Sequence, residues 1–176
     1  MKRPILFLLL FIPAVLVGQI VKESSTIIKD SGTERWEQSK YELRQYVITD
    51  STILAQLTRV LMPNGRQSIP KEWCFLMFVD QIQDTLMLRV ELQPWPYKLN
   101  GLYGFFQIED IDVLVYNKHL PFLRVTKSTK TFTYERHTYM IGDDNWIEFP
   151  GDDCSHSWNL IYHNNSLTYL RKSHGK

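Results

Sequence analysis

The stretch ITDSTILAQLTRVLMPNG, residues 48–65, decides how the rest of the chain is read. Ile53, Leu54, Leu57, Val60 and Leu61 recur at helical spacing and form one apolar stripe. Gln56, Thr58 and Arg59 take much of the other side. Asp50 or Thr49 is placed to cap the free N–H groups of the first turn, and Pro63-Asn64-Gly65 ends the helix. A helix of about a dozen residues is marginal alone in water, so its stripe has to pack on something.

The following segments supply that surface. Trp73 to Ile82 and Thr85 to Leu92 are β-rich runs parted by Gln83-Asp84, a hairpin pattern. QPWPYKLNG, residues 93–101, interrupts with two prolines and a glycine. Leu102 to Ile108, Ile111 to Tyr116, Lys130 to Met140, Ser157 to His163 and Ser166 to Arg171 resume the strand pattern. Asn164-Asn165 suits a tight hairpin between the last two. Upstream, Tyr41, Leu43, Gln45 and Val47 alternate with Glu42, Arg44 and Tyr46 as a first strand. Short links between successive strands favour antiparallel pairing. The expected fold is therefore α+β: a curved antiparallel sheet of about six to eight strands with one amphipathic helix packed on it.

The N-terminus reads differently. Lys2 and Arg3 precede an uncharged apolar run from Ile5 to Val17, and Gly18 offers a small residue for cleavage. The run falls short of the ~20 residues a spanning helix needs, and its layout is that of a secretory signal peptide. An uncleaved N-terminal anchor is the alternative. We expect residues 1–18 to be a signal peptide, 19–39 a flexible lead-in, and 40–174 a single domain. The protein is then exported, to a periplasm or outside the cell, with no membrane span after signal removal. Without Lys2 and Arg3 the chain holds 18 Lys+Arg against 19 Asp+Glu. So neutral a protein has no field to draw it to nucleic acid. Cys74 and Cys154 would meet an oxidising compartment. Either they pair, a bridge worth about 4 kcal/mol in the chain-entropy model, or they are two buried thiols.

Catalytic signatures are sparse. The acidic loop IGDDNWIEFPGDDCSH, residues 141–156, gathers Asp143, Asp144, Glu148, Asp152 and Asp153, but not at calcium-loop spacing. Cys154 stands two residues from His156, without the surroundings of a cysteine nucleophile. The five histidines lack zinc spacing, and neither GxSxG nor GxxxxGK[ST] occurs. We assign no catalytic residue, no metal and no cofactor.

Binding is the better-supported class. Residues 117–137 carry Lys118, Arg124, Lys127, Lys130 and Arg136 with Glu135 as the acid among them. Lys127, Lys130 and Arg136 suit an anionic glycan or acidic partner, and Trp95 and Tyr97, beside prolines, suit a stacking surface. Solvated strand faces and core aromatics are the plainer roles for the same residues. The order YELRQYVITDSTILAQL, CFLMFVDQ, LYGFFQIEDIDVLVY and DDNW resembles small exported Bacteroidota-type proteins of unknown function. That resemblance implies an exported α+β domain and no functional residues. The expected function is a non-catalytic exported domain binding an envelope protein or glycan. A small exported hydrolase using carboxylates or a bound ion is the alternative.

Overall fold

The computed structural model describes residues 20–94, 101–141, 145–148 and 156–174. Ten strands are present among them: β1 (Ile20–Asp30), β2 (Glu34–Ile48), β3 (Cys74–Ile82), β4 (Thr85–Gln93), β5 (Leu102–Ile108), β6 (Ile111–Tyr116), β7 (Leu123–Ile141), β8 (Asn145–Glu148), β9 (His156–His163) and β10 (Ser166–His174). The α-helix α1 (Ser51–Leu61) lies between β2 and β3. Nine strands follow one open path, β10-β9-β4-β3-β6-β5-β2-β7-β8, and β1 joins beside β2. No helix among the described residues is long and apolar enough to cross a membrane.

This overturns the expected α+β sheet of six to eight antiparallel strands. Strand makes up 67% of the structure and helix 11%, so the fold is mainly β, and the sheet is mixed and not closed. Two contacts are parallel: Phe75 to Phe78 of β3 run beside Val113 to Tyr116 of β6, and Gln45 of β2 meets Phe105 of β5. The hairpins themselves are antiparallel, but the β5–β6 hairpin enters the sheet with β6 against β3 rather than β5 against β4. Pairing order therefore departs from chain order. Residues 20–39, expected as a lead-in, are the strand β1 and the first part of β2, and the proposed boundary at Lys40 falls inside β2.

Local structure follows the sequence more closely. Asp50 caps α1, its carboxylate accepting from the N–H groups of Thr52 (2.8 Å) and Ile53 (3.3 Å). The stripe buries Ile53, Leu57 and Leu61. Asn164 and Asn165 both take positive φ, 48° and 58°, the pair of left-handed conformations a two-residue hairpin requires.

The central strands have a core on each face. On the helix side, α1 packs with Phe75, Met77, Val79, Leu88, Val90, Phe106, Val113, Trp158 and Leu160. On the other side, Cys74, Leu76, Phe78, Phe105, Leu114 and Tyr116 pack with Tyr41 and Leu43 from β2 and Phe132 and Tyr134 from β7. Burial on both faces explains the unbroken apolar run of β3, where Cys74 through Val79 are all buried.

β2 serves both parts of the molecule. Its ladder with β7 shifts register between Arg44 and Tyr46, and at that irregularity Gln45 meets β5. Gly104 makes the passage possible. A Cβ there would lie 2.4 Å from the Tyr46 ring, so only glycine lets the ring cross β5. Before this crossing, β1, β2 and β7 run together as an arm, and β8 joins beside β7 at its far end.

Candidate binding surface

The arm continues past both cores. Tyr41 and Phe132 sit opposite one another at its base, inside the second core. Farther along, residues 34–38 of β2 are exposed or half-buried, and β1 is exposed from Val21 to Asp30. Beyond the two cores formed by the described residues, such strands need side-chain ladders to hold together. On one face Trp36 stacks on His137, directly opposite, with ring centroids 4.1 Å apart at 13°. Beside them Gln38 donates to Glu135 at 3.0 Å, and Lys29 pairs with Glu34 at 3.7 Å. On the other face Arg35 pairs with Asp30 at 3.0 Å, and the Ser25 hydroxyl donates to Glu37. Gly32 and Arg35 donate to Asp30 and hold its carboxyl below the usual carboxylate range. These exposed pairs contribute little each, but the arm presents a broad, ordered, polar surface carrying a tryptophan and a histidine.

The basic residues read from the sequence are placed apart. Lys130 forms an ion pair with Asp112 at 2.5 Å and lies over the Phe132 ring. Arg136 sits across from Glu37 on β2. Lys127 is exposed where the β2–β7 register breaks, and the next residue, Ser128, donates its N–H to Thr126. Along the chain these residues look opposed by Glu135 alone; in space Asp112 and Glu37 oppose two of the three. Trp95, Tyr97, Asp143, Asp144, Asp152, Asp153 and Cys154 lie outside the described residues, as does the segment 1–18. His156 is exposed at the start of β9. Among the described residues no three His, Cys, Asp or Glu side chains are placed to hold a metal ion.

Cys74 is a free, buried thiol. It sits in a polar neighbourhood: Gln93 of β4 is its cross-strand partner, and Asp112 of β6, whose charge reaches it, pairs with Gln107 of β5. Gln107 donates to Asp112 at 3.0 Å. Burial, reinforced by the Asp112 charge, pushes the Cys74 thiol up to about 12. It stays protonated at neutral pH and is no nucleophile there.

Tyr41 is the second buried polar feature. Its side chain is fully buried and its hydroxyl finds no hydrogen-bond partner among the described residues. Burial drives its pKa well above the ordinary phenol range, with the nearby Cys74 and Tyr134 adding to the rise. An unpaired buried hydroxyl carries a desolvation penalty of about 1–3 kcal/mol. Tyr41→Phe is therefore expected to raise stability by about 1 kcal/mol in urea unfolding. A loss of stability would show that the hydroxyl is satisfied in solution.

Sequence reasoning missed the arm's surface because its parts are far apart in the chain. Trp36 and His137 meet only through the β2–β7 register. No family model, curated protein or solved structure matches the chain.

Proposed function

We propose that this is an exported, non-catalytic binding domain that engages a partner in the cell envelope, or outside it, through the arm formed by β1, β2 and β7. The observation that supports this most is that the arm continues beyond both cores, where it adds little to packing and yet is held in order by paired side chains. Export rests on the basic-then-apolar start of the chain. The anionic-glycan version draws less support, since the charges of Lys130 and Arg136 face acids on neighbouring strands.

The test is retention of partners from envelope extract by the mature chain, beginning at Gln19, compared with its Trp36→Ala variant. Trp36 lies outside both cores, so the variant should keep the parent's unfolding midpoint within about 1 kcal/mol of stability. Specific retention is expected to fall at least tenfold. Equal retention by the two proteins would discard the arm as the binding surface. Recovery of the native protein from cytosol with Met1 still attached would discard export.

A further inference from the structure

Among the described residues β1 pairs with β2 and with no other strand, so its second edge presents unpaired backbone groups. Bulges at Val21 and Ile28 interrupt its ladder with β2 and leave Lys22–Ile27 as an unbroken run of six residues. Opposite residues in an antiparallel pair share a face, so the register fixes where each side chain points. Glu23, Ser25, Ile27 and Asp30 lie on the face of Tyr41, Ser39, Glu37 and Arg35. Lys22, Ser24, Thr26 and Lys29 lie on the face of Glu42, Lys40, Gln38 and Trp36. The Glu42 carboxylate already accepts from the Thr129 hydroxyl.

A second copy fits this edge poorly. A two-fold axis normal to the sheet keeps faces together, which limits the registers. Centred on Ser25, the fullest register sets Lys22 against Lys29 at both ends. Moved to Thr26, it sets Glu23 against Asp30 twice. Moved to Ser24, it shortens the pairing, with Lys29 and Asp30 falling beyond its end. Like charges directly opposite one another destabilise a pair of strands.

Resting on the arm as binding surface, we infer that the Lys22–Ile27 edge takes an extended segment of a different polypeptide, added antiparallel as a further strand. The chemistry of the incoming segment follows from the faces. An apolar residue meets Ile27, which is 54% exposed. Three small polar residues pass Thr26, Ser25 and Ser24. A basic residue then meets Glu23, and an acidic one meets Lys22. Backbone hydrogen bonds supply affinity, and the adjacent basic–acidic pair, projecting to opposite faces, supplies direction and register.

The probe is the capped peptide Val-Thr-Ser-Thr-Lys-Glu, set against the same peptide with its last two residues exchanged. Each is titrated into the isotope-labelled mature chain, with the backbone amides followed by NMR. The first peptide should shift the amides of β1 and bind at least fivefold more tightly than the second. In the doubly substituted variant Lys22→Glu with Glu23→Lys the preference should reverse. Equal binding of the two peptides would overturn the charge assignment and leave the arm as a binding surface. No shift in β1 with either peptide would overturn strand addition, while the Trp36→Ala comparison still reports on the arm. A dimer of the mature chain that the doubly substituted variant breaks would overturn the exclusion of a second copy.

Discussion

Phe75→Ala is expected to cost about 3–5 kcal/mol, a large share of the roughly 5–15 kcal/mol that holds a typical domain folded. Phe75 is fully buried on β3, between Leu92 of β4 and Val113 of β6. Its ring meets Trp158 edge-on, 5.8 Å between centroids at 73°, and so ties β3 to β9 across β4. Truncation removes the transfer energy of a phenyl ring and leaves a cavity that a paired sheet collapses into poorly. Urea unfolding of a chain beginning at Gln19 measures the loss directly. Phe75→Leu, which keeps most of the volume, should cost less than half as much. A loss below about 1 kcal/mol for the alanine variant would mean that the core on the helix face is not packed as described.

Gly104→Ala is the second large effect, for the opposite reason. The added methyl would lie 2.4 Å from one carbon of the Tyr46 ring, 2.9 Å from another, and 2.9 Å from the Arg44 carbonyl oxygen. The ring has little freedom to retreat, because Tyr103 and His119 stand 6.2 and 5.6 Å away. The carbonyl belongs to the backbone of β2 at its register shift. Overpacking of this kind costs about 1–3 kcal/mol, and here a strand has to move as well as a side chain. Urea unfolding should show a loss at or above the top of that range. Adding Tyr46→Ala should make the Gly104→Ala step cheaper by about 0.5–3 kcal/mol, the coupling that a shared contact produces. Simple additivity of the two losses would locate the strain elsewhere.

What the chain discloses on its own depends on how local the signal is. The helix, its Asp50 cap and its stripe are legible because all their determinants lie within residues 50–65. The hairpins β3–β4, β5–β6 and β9–β10 are legible for the same reason, each being two β-rich runs around a short turn. β1 and the start of β2 are not. Their residues are mostly polar, both faces are largely exposed, and β1 is ordered by pairing with β2, which in turn pairs with β7 about a hundred residues later. The burial of β3 and β6 on both faces is legible in CFLMFV and IDVLVY, which are too continuously apolar for strands with one wet face. The basic residues failed as a cluster because a count along the chain omits Asp112 and Glu37, which arrive from other strands.

The contact between β3 and β6 also constrains the route by which the chain can fold. Each hairpin closes a loop of a few residues and can form early and independently. Joining Phe75 to Val113 requires closing the whole intervening stretch, a step whose entropy is lost before any apolar surface is sealed. Together with the longer closures that join β4 to β9 and β2 to β7, that seam forms the natural bottleneck. Until it closes, both hairpins carry bare hydrophobic flanks, and the newly made chain is most exposed to aggregation in that interval.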